Sequence, residues 1–467
     1  MRQGKKSELY NVFNPAIQNS SLLSDCQFVI DGAWLLRQVC WPHGRTFLDI
    51  FQIYENYIQR NFRDAQVVFD GYKNDVIGVK TYERLRRKET SFAVDVDIGP
   101  DKMITVTKDK FLSNVVNKYK LVRLLSEHLN RKGIVTTVAA EDADALIIRT
   151  AIEMNDRRLL EDRPVVVVGN NVDLLVLLVG LTPDGDNIHF YKIVSIGKKD
   201  RKLYSTRDNK CFKSFILFAH AFSGCDSTSA VFNKGKKIII SLLSENKDLC
   251  DAVSIFYEGG SSAAQLYTVA EKMIKHWYVN NEQRNLPINE LRFELFRTFV
   301  PGAKRDGLQS LPPTEAALLE HTKRVYFQVQ QWLNYKLDPQ DWGWERSMND
   351  AVILIPTKSS LKAAPDDLLG KIGCKCVKSN CAKGRCVCKH AGLSCTKFCK
   401  HCSGSEDCIN FETREDYPQE DIDENLESDN EKYGGEGERQ EELEEVEVVE
   451  EEITRDEDFF EVDFDYY

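Results

Sequence analysis

IVTTVAAEDADALIIRTAIEMNDRRLLEDRPVVVVGNNVDLLVLLVGL, residues 134–181, decides the fold. Two short β-branched runs, Ile134–Ala140 and Val165–Val168, have the length and flanks of strands buried on both faces. Each empties into a polar cluster, Glu141-Asp142-Ala143-Asp144 after the first and Asn170-Asn171-Val172-Asp173 after the second, and a helical pattern follows each. Strand, acid and helix repeated in that order predict an α/β domain with a parallel sheet. In such sheets functional groups gather beyond the carboxyl ends of the strands. Carboxylates held there against apolar walls are costly unless a cation neutralises them.

Upstream, Gln27–Ile30 reads as a strand ending at Asp31-Gly32, and Gln66–Phe69 as one ending at Asp70-Gly71. A single Asp after a strand is ordinarily a turn or a helix cap. Four strands with the same ending point to a shared site. Behind the second, Lys80, Arg84 and Arg87 fall on one face of a predicted helix, the arrangement of a phosphate clamp. Downstream, His189–Val194 reads as a further strand, and Asp226 lies in the small-residue turn Gly224-Cys225-Asp226. Lys234, Lys236 and Lys237 then crowd a helix start, where backbone N–H groups also favour phosphate. The acids are all hard oxygen donors with no His or Cys at ligand spacing, which suits Mg²⁺ or Mn²⁺ rather than Zn²⁺. Two such ions stabilise the attacking and leaving oxygens of an in-line displacement at phosphorus.

The net charge of −11 over 467 residues hides an asymmetry. From Thr413 onward there are 25 Asp and Glu against four Lys and Arg, so the rest of the chain is basic. A basic body suits a polyanionic partner, and the acidic tail can compete for that surface or bind basic proteins. The opening MRQGKKSELYNVFNP has no apolar signal-peptide core, and no stretch offers the roughly 20 apolar residues of a membrane span. The expectation is a soluble intracellular protein without membrane contact.

In order, these motifs resemble the 5′-nuclease family, the flap-endonuclease-like branch of the PIN-like nucleases. The resemblance covers about residues 25–245. It rests on Asp31 after the first strand, Val68-Phe69-Asp70-Gly71, the basic run Lys80 to Arg87, Asp142-Ala143-Asp144-Ala145, the Asn171-Val172-Asp173 pair and Gly224-Cys225-Asp226. It implies a PIN-like fold and metal-dependent phosphodiester hydrolysis. Asp31, Asp70, Asp142, Asp144, Asn171, Asp173 and Asp226 would hold two ions, with Lys80 and Arg87 at the scissile phosphate. Arg84 and the lysines at 234, 236 and 237 would contact the nucleic acid. Asn171 stands where the family pattern has an acid, which weakens the second ion's site. The hairpin's usual Gly-x-Gly is Asn233-Lys234-Gly235 here. The rival expectation is a catalytically inactive nuclease fold that binds DNA or chromatin.

Nine of the 14 cysteines lie between 374 and 408: Cys374, Cys376, Cys381, Cys386, Cys388, Cys395, Cys399, Cys402 and Cys408. Such clustering in an intracellular chain indicates metal rather than disulfides. Nine thiolates fit three tetrahedral Zn²⁺ ions if three sulfurs bridge. The spacing resembles a single tesmin-type CXC module, a DNA-binding zinc cluster. That resemblance implies phosphate contacts from lysines including Lys383 and Lys389, and puts Arg385 where relatives read the minor groove.

The expected organisation is a flexible segment over 1–24, the nuclease-like domain over 25–245 and a helical extension over 246–356. A linker over 357–370, the zinc module over 371–410 and a disordered acidic tail over 411–467 follow. The expected partner is DNA, with RNA not distinguished, and the expected compartment is the nucleus.

Overall fold

The computed structural model describes residues 6–16, 22–71, 79, 94–140, 143–157, 163–193, 201–279, 282–297, 310–347 and 353–359, with separate positions between 373 and 410. Six strands form the central sheet: β1 Gln27–Asp31, β2 Ala65–Phe69, β3 Val135–Val138, β4 Val165–Gly169, β5 His189–Ile193 and β6 Arg201–Ser205. Their spatial order is β3-β2-β1-β4-β5-β6. The pairs from β3 through β5 are parallel, and β6 runs antiparallel to β5. Ile30 of β1 sits between Val67 of β2 and Val168 of β4, so the three strands end almost level.

Alternation along the strands divides the core in two. Phe28, Ile30, Val67, Val166 and Val168 pack on one side with the helices Gly32–Gln38, Phe47–Asn61, Lys108–Ser113 and Val115–Arg131. Val29, Val68, Val165 and Val167 pack on the other with Asp144–Arg157, Val172–Leu181 and Ile216–Phe222. Val172–Leu181 has no polar stripe, and a helix of that kind must be enclosed. Its residues Val172 to Val179 are buried, between the sheet and the helix Ile216–Phe222.

The helices Ala263–Tyr278 and Glu315–Trp332 share that second core with the sheet, so apolar packing is continuous across residue 245. No described helix is long and apolar enough to cross a membrane.

Two expectations meet a different outcome. The run at 134–140 is not enclosed on both faces: β3 is the edge strand, and Val135 and Val138 are 50% and 45% exposed. Its β-branched residues serve pairing with β2 on one side only. The segment expected to be flexible at the N-terminus is built into the domain over 6–16. Lys6–Asn11 forms a 3-10 helix, and Leu9 and Phe13 are buried in the second core. Ala16 N donates to Leu203 O of β6 at 2.8 Å. The apolar residues Leu9, Tyr10, Val12 and Phe13 explain the docking, since burying them favours order.

Candidate functional site

The strand order reverses direction between β1 and β4, the switch point at which open parallel sheets bind ligands. Asp31 ends β1 there and caps the following helix, its Oδ1 accepting from Ala33 N at 2.8 Å. Gly169 ends β4 opposite, where a Cβ would stand 3.0 Å from Leu174 Cδ1 and in ordinary contact with the Asp31 side chain. Asp70 follows β2, and its Oδ1 accepts from Ala143 N at 2.9 Å, which ties it to the turn that opens the Asp144 helix. Burial, with the charge of Asp70 beside it, pushes the Asp31 carboxyl up to about 7.

Asn171 joins the two halves. Its side-chain oxygen caps the helix Val172–Leu181 by accepting from Asp173 N at 3.1 Å. Its Nδ2 donates toward the Asp144 carboxylate, at 3.3 and 3.5 Å from the two oxygens. A neutral amide therefore does two jobs, and an acid at 171 could perform only the first.

At the other end Asp173 is buried, and Lys6 and His220 converge on it. Lys6 Nζ donates to Asp173 Oδ2 at 2.8 Å and also to Asp226 Oδ1. His220 Nε2 lies 3.0 Å from Asp173 Oδ1, close but off line for a hydrogen bond. Burial pulls the Asp173 carboxyl upward, but His220 and Lys6 outweigh it and hold the group well below the ordinary carboxylate range. Burial and the charge of Lys236 push His220 down to about 4, against the pull of Asp173. His220 and Lys6 thus both favour the ionised Asp173, and the contact with Lys6 is the one that is also a hydrogen bond. Burial opposes the charge on Lys6, and the two carboxylates more than offset it, raising its pKa.

The turn carrying Asp226 needs its glycine. Gly224 has φ +103°, and a Cβ there would meet the backbone of Ala230 at 2.6 Å. Asn233 has φ +52°, a left-handed position that Asn tolerates in place of glycine. The three lysines beyond it do not share one role. Lys236 is buried, donating to His220 O at 3.0 Å, Ser223 Oγ at 3.1 Å and Gly224 O at 2.5 Å. The expectation of a phosphate contact from Lys236 is corrected: its ammonium ties the Asp226 turn to the His220 helix, and burial lowers its pKa to about 8. Lys234 donates to Trp277 O at 2.8 Å and sits over the Tyr278 ring. Lys237 is exposed, as a phosphate contact requires.

Lys80, Arg84, Arg87, Asp142, Lys383 and Arg385 lie outside the described residues, as does the acidic tail. Lys6 and His220 were not foreseen. Lys6 is one of several basic residues near the N-terminus with no motif around it, and His220 sits in an apolar run that signals only core.

The cysteines form a separate centre. Three overlapping groups of four bring their sulfurs together: Cys374, Cys388, Cys395 and Cys399; Cys374, Cys381, Cys386 and Cys395; and Cys381, Cys395, Cys402 and Cys408. Cys376 packs at the side of the cluster. Neighbouring sulfurs such as Cys374 and Cys381, Cys388 and Cys399, and Cys386 and Cys395 stand 3.5, 3.6 and 3.8 Å apart. A disulfide would need about 2.05 Å, whereas Zn–S bonds of about 2.3 Å in a tetrahedron set sulfurs about 3.8 Å apart. The donor set therefore fits tetrahedral thiolate coordination. Lys389 is exposed, with Nζ donating to Ala382 O at 3.3 Å.

A divalent ion fits the first crevice unequally. The Asp31–Asp70–Asp144 end offers oxygen donors, whereas the Asp173–Asp226 end has Lys6 between its carboxylates.

The chain matches no protein-family model and no curated relative. Among solved structures it is similar to the catalytic core of Rad2 in complex with DNA substrate, in two complexes. One shows 13% identity over 72% of this chain and 100% of that one; the other shows 16% identity over 67% and 94%. The TM-score is 0.32 in both cases, a level at which the likeness argues nothing about this chain's chemistry.

Proposed function

We propose that this chain is a metal-dependent nucleic-acid phosphodiesterase of the 5′-nuclease kind, carried to DNA by a zinc-held cysteine module. The observation that carries the reading is that carboxylates from separate chain segments lie at strand ends around one switch point, Asp31 ending β1, Asp70 tied to Ala143 N and Asp144 to Asn171. Asp31, Asp70 and Asp144, with Asp142, would hold Mg²⁺ or Mn²⁺. Such an ion supplies a Lewis acid for a phosphoryl oxygen and an acidified water. The chain's own part is to place these oxygens on rigid strand ends, to keep Asp31 in low dielectric beside Asp70, and to bring basic groups to the phosphates. Lys80, Arg84, Arg87, Lys234 and Lys237 are the candidates for that last task. In the module, three Zn²⁺ would be held by the nine cysteines, with Lys383, Arg385 and Lys389 on DNA. The domain limits expected above, nuclear residence and tail contacts with basic surfaces belong to the same proposal.

The rival reading, a nuclease fold that binds DNA without cutting it, draws on Asn171 and Lys6. The test is cleavage of flapped, nicked and single-stranded DNA, with an RNA arm, in Mg²⁺ or Mn²⁺. Asp31→Ala and Asp144→Ala should each lower the rate by at least about two orders of magnitude, since the ion contributes several kcal/mol at the transition state. Cleavage that survives both changes would sink the assignment. DNA binding without cleavage in either metal leaves the rival.

A further inference from the structure

The Asp173–Asp226 end of the crevice is already neutralised from within the chain. Lys6 Nζ bridges the two carboxylates, one from the start of a helix after β4 and one from the Gly224 turn. The lysine is not a loose tail. Leu9 and Phe13, on the same segment, are buried in the core, and Phe13 meets the Phe212 ring edge-on at 5.7 Å. Asn14 N donates to Asn209 Oδ1 at 2.8 Å, and Asn209 Nδ2 donates back to Asn14 O at 3.0 Å. The 3-10 helix Lys6–Asn11 thus delivers its first residue to a fixed point.

Charge arithmetic gives the consequence. With an acid at 171 and no lysine, this end would carry three negative charges, from 171, Asp173 and Asp226. With Asn171 and Lys6 it carries one, before the buried ammonium of Lys236, whose charge both carboxylates also feel, is counted. A divalent ion placed here would gain little attraction and would meet an ammonium already at contact distance from Asp173. A lysine also meets a phosphate oxygen as a point charge, the electrostatic part of an ion's work without its bound water.

We propose that Lys6 is the second cation of this site, so that the crevice takes one divalent ion, at Asp31, Asp70 and Asp144, beside a built-in ammonium held by Asp173 and Asp226. The inference rests on the reading of the crevice as a divalent-cation site. It makes Lys6 a residue of the site and makes the site a one-metal-plus-lysine centre.

The test is the number of Mn²⁺ ions bound by the full chain with its cysteine module zinc-loaded, followed by electron paramagnetic resonance. It is counted against an Asp31→Asn/Asp173→Asn variant, which removes the crevice's ions and leaves the acidic C-terminal residues as background. The wild type should hold one ion above that background. Lys6→Met should hold two, the second disappearing when Asp226→Asn is added, and Lys6→Arg should stay at one. Two ions in the wild type overturn the inference and leave the nuclease reading intact. One ion in a Lys6→Met chain whose circular dichroism shows it folded does the same. No ion above background in the wild type overturns both. The wild-type count decides even if Lys6→Met does not fold.

Discussion

At the residue scale the two ends of the crevice differ in sign of need. Asp173 is held ionised by His220 and Lys6, whereas Asp31 is buried beside Asp70 with its pKa raised to about 7. The sign for stability follows. In the unfolded chain Asp31 ionises near the ordinary carboxylate value, so between there and about 7 the folded state binds the extra proton. Stability from this group is therefore full below that window and is lost as pH rises through it, unless a cation takes the proton's place. Asp31→Asn keeps a side chain able to cap the helix and removes the charge. In chelator, its melting temperature should exceed the wild type's by clearly more at pH 8 than at pH 5, measured by thermal scans at both. A gap of equal size at both pH values would contradict the account. Lys236 shows why a lysine at a helix start is not automatically a phosphate ligand. Its ammonium has three protein acceptors and no solvent face.

At the scale of elements, the crevice is made by chain punctuation. Strands end, helices begin, and Asp31, Asp70 and Asn171 at these junctions cap a helix or reach across to a neighbouring segment. Asp31 caps Gly32–Gln38 and Asn171 caps Val172–Leu181. Asn171 also braces Asp144. Asn171→Ala should lose both and cost about 1 kcal/mol for the cap alone, with more from the unbraced carboxylate. Asn171→Asp keeps the cap but sets a carboxylate against Asp144, so its melting temperature should depend more steeply on Mn²⁺ than the wild type's. Thermal melts of the three proteins in Mn²⁺ and in chelator check this. An equal metal response in wild type and Asn171→Asp would show that position 171 does not face the ion.

At the scale of the whole molecule, two kinds of core coexist. The sheet and its helices are held by large apolar clusters, continuous from Leu9 to Trp332. The described core of the cysteine-rich segment consists of cysteine side chains alone. Apolar burial cannot order such a segment, and metal binding would have to supply its folding free energy. Zinc analysis should give about three ions per chain, following tetrahedral thiolate coordination with shared sulfurs. Chelation should open residues 371–410 to protease while the main thermal transition of the sheet domain stays in place. A protected segment in zinc-free protein would refute the metal-held module.

Much of the framework was legible because it is written locally. The valine run of β4, the all-apolar helix after it and the recurring Asp at strand ends follow from period, burial and turn chemistry. Strand limits differ by a residue or so: Gln27–Ile30 was expected and Gln27–Asp31 is formed. What local pattern could not give is which strand lies at the edge. The runs at 134–140 and 165–168 look alike in sequence, yet one is half exposed and the other fully enclosed, because strand order is decided by crossovers between distant segments.

The sequence by itself determined the strand–acid–helix grammar, the oxygen-donor character of the crevice and the thiolate character of the C-terminal cluster. Those properties belong to residue types and short spacings. Only the tertiary structure decided that Lys6 meets Asp173 across 167 positions and Asp226 across 220. It also decided that Lys236 turns inward and that Asn171 bridges to Asp144. Charge pairing acts through space over a few ångströms, and the separation of two residues along a chain says nothing about that distance until the core has packed.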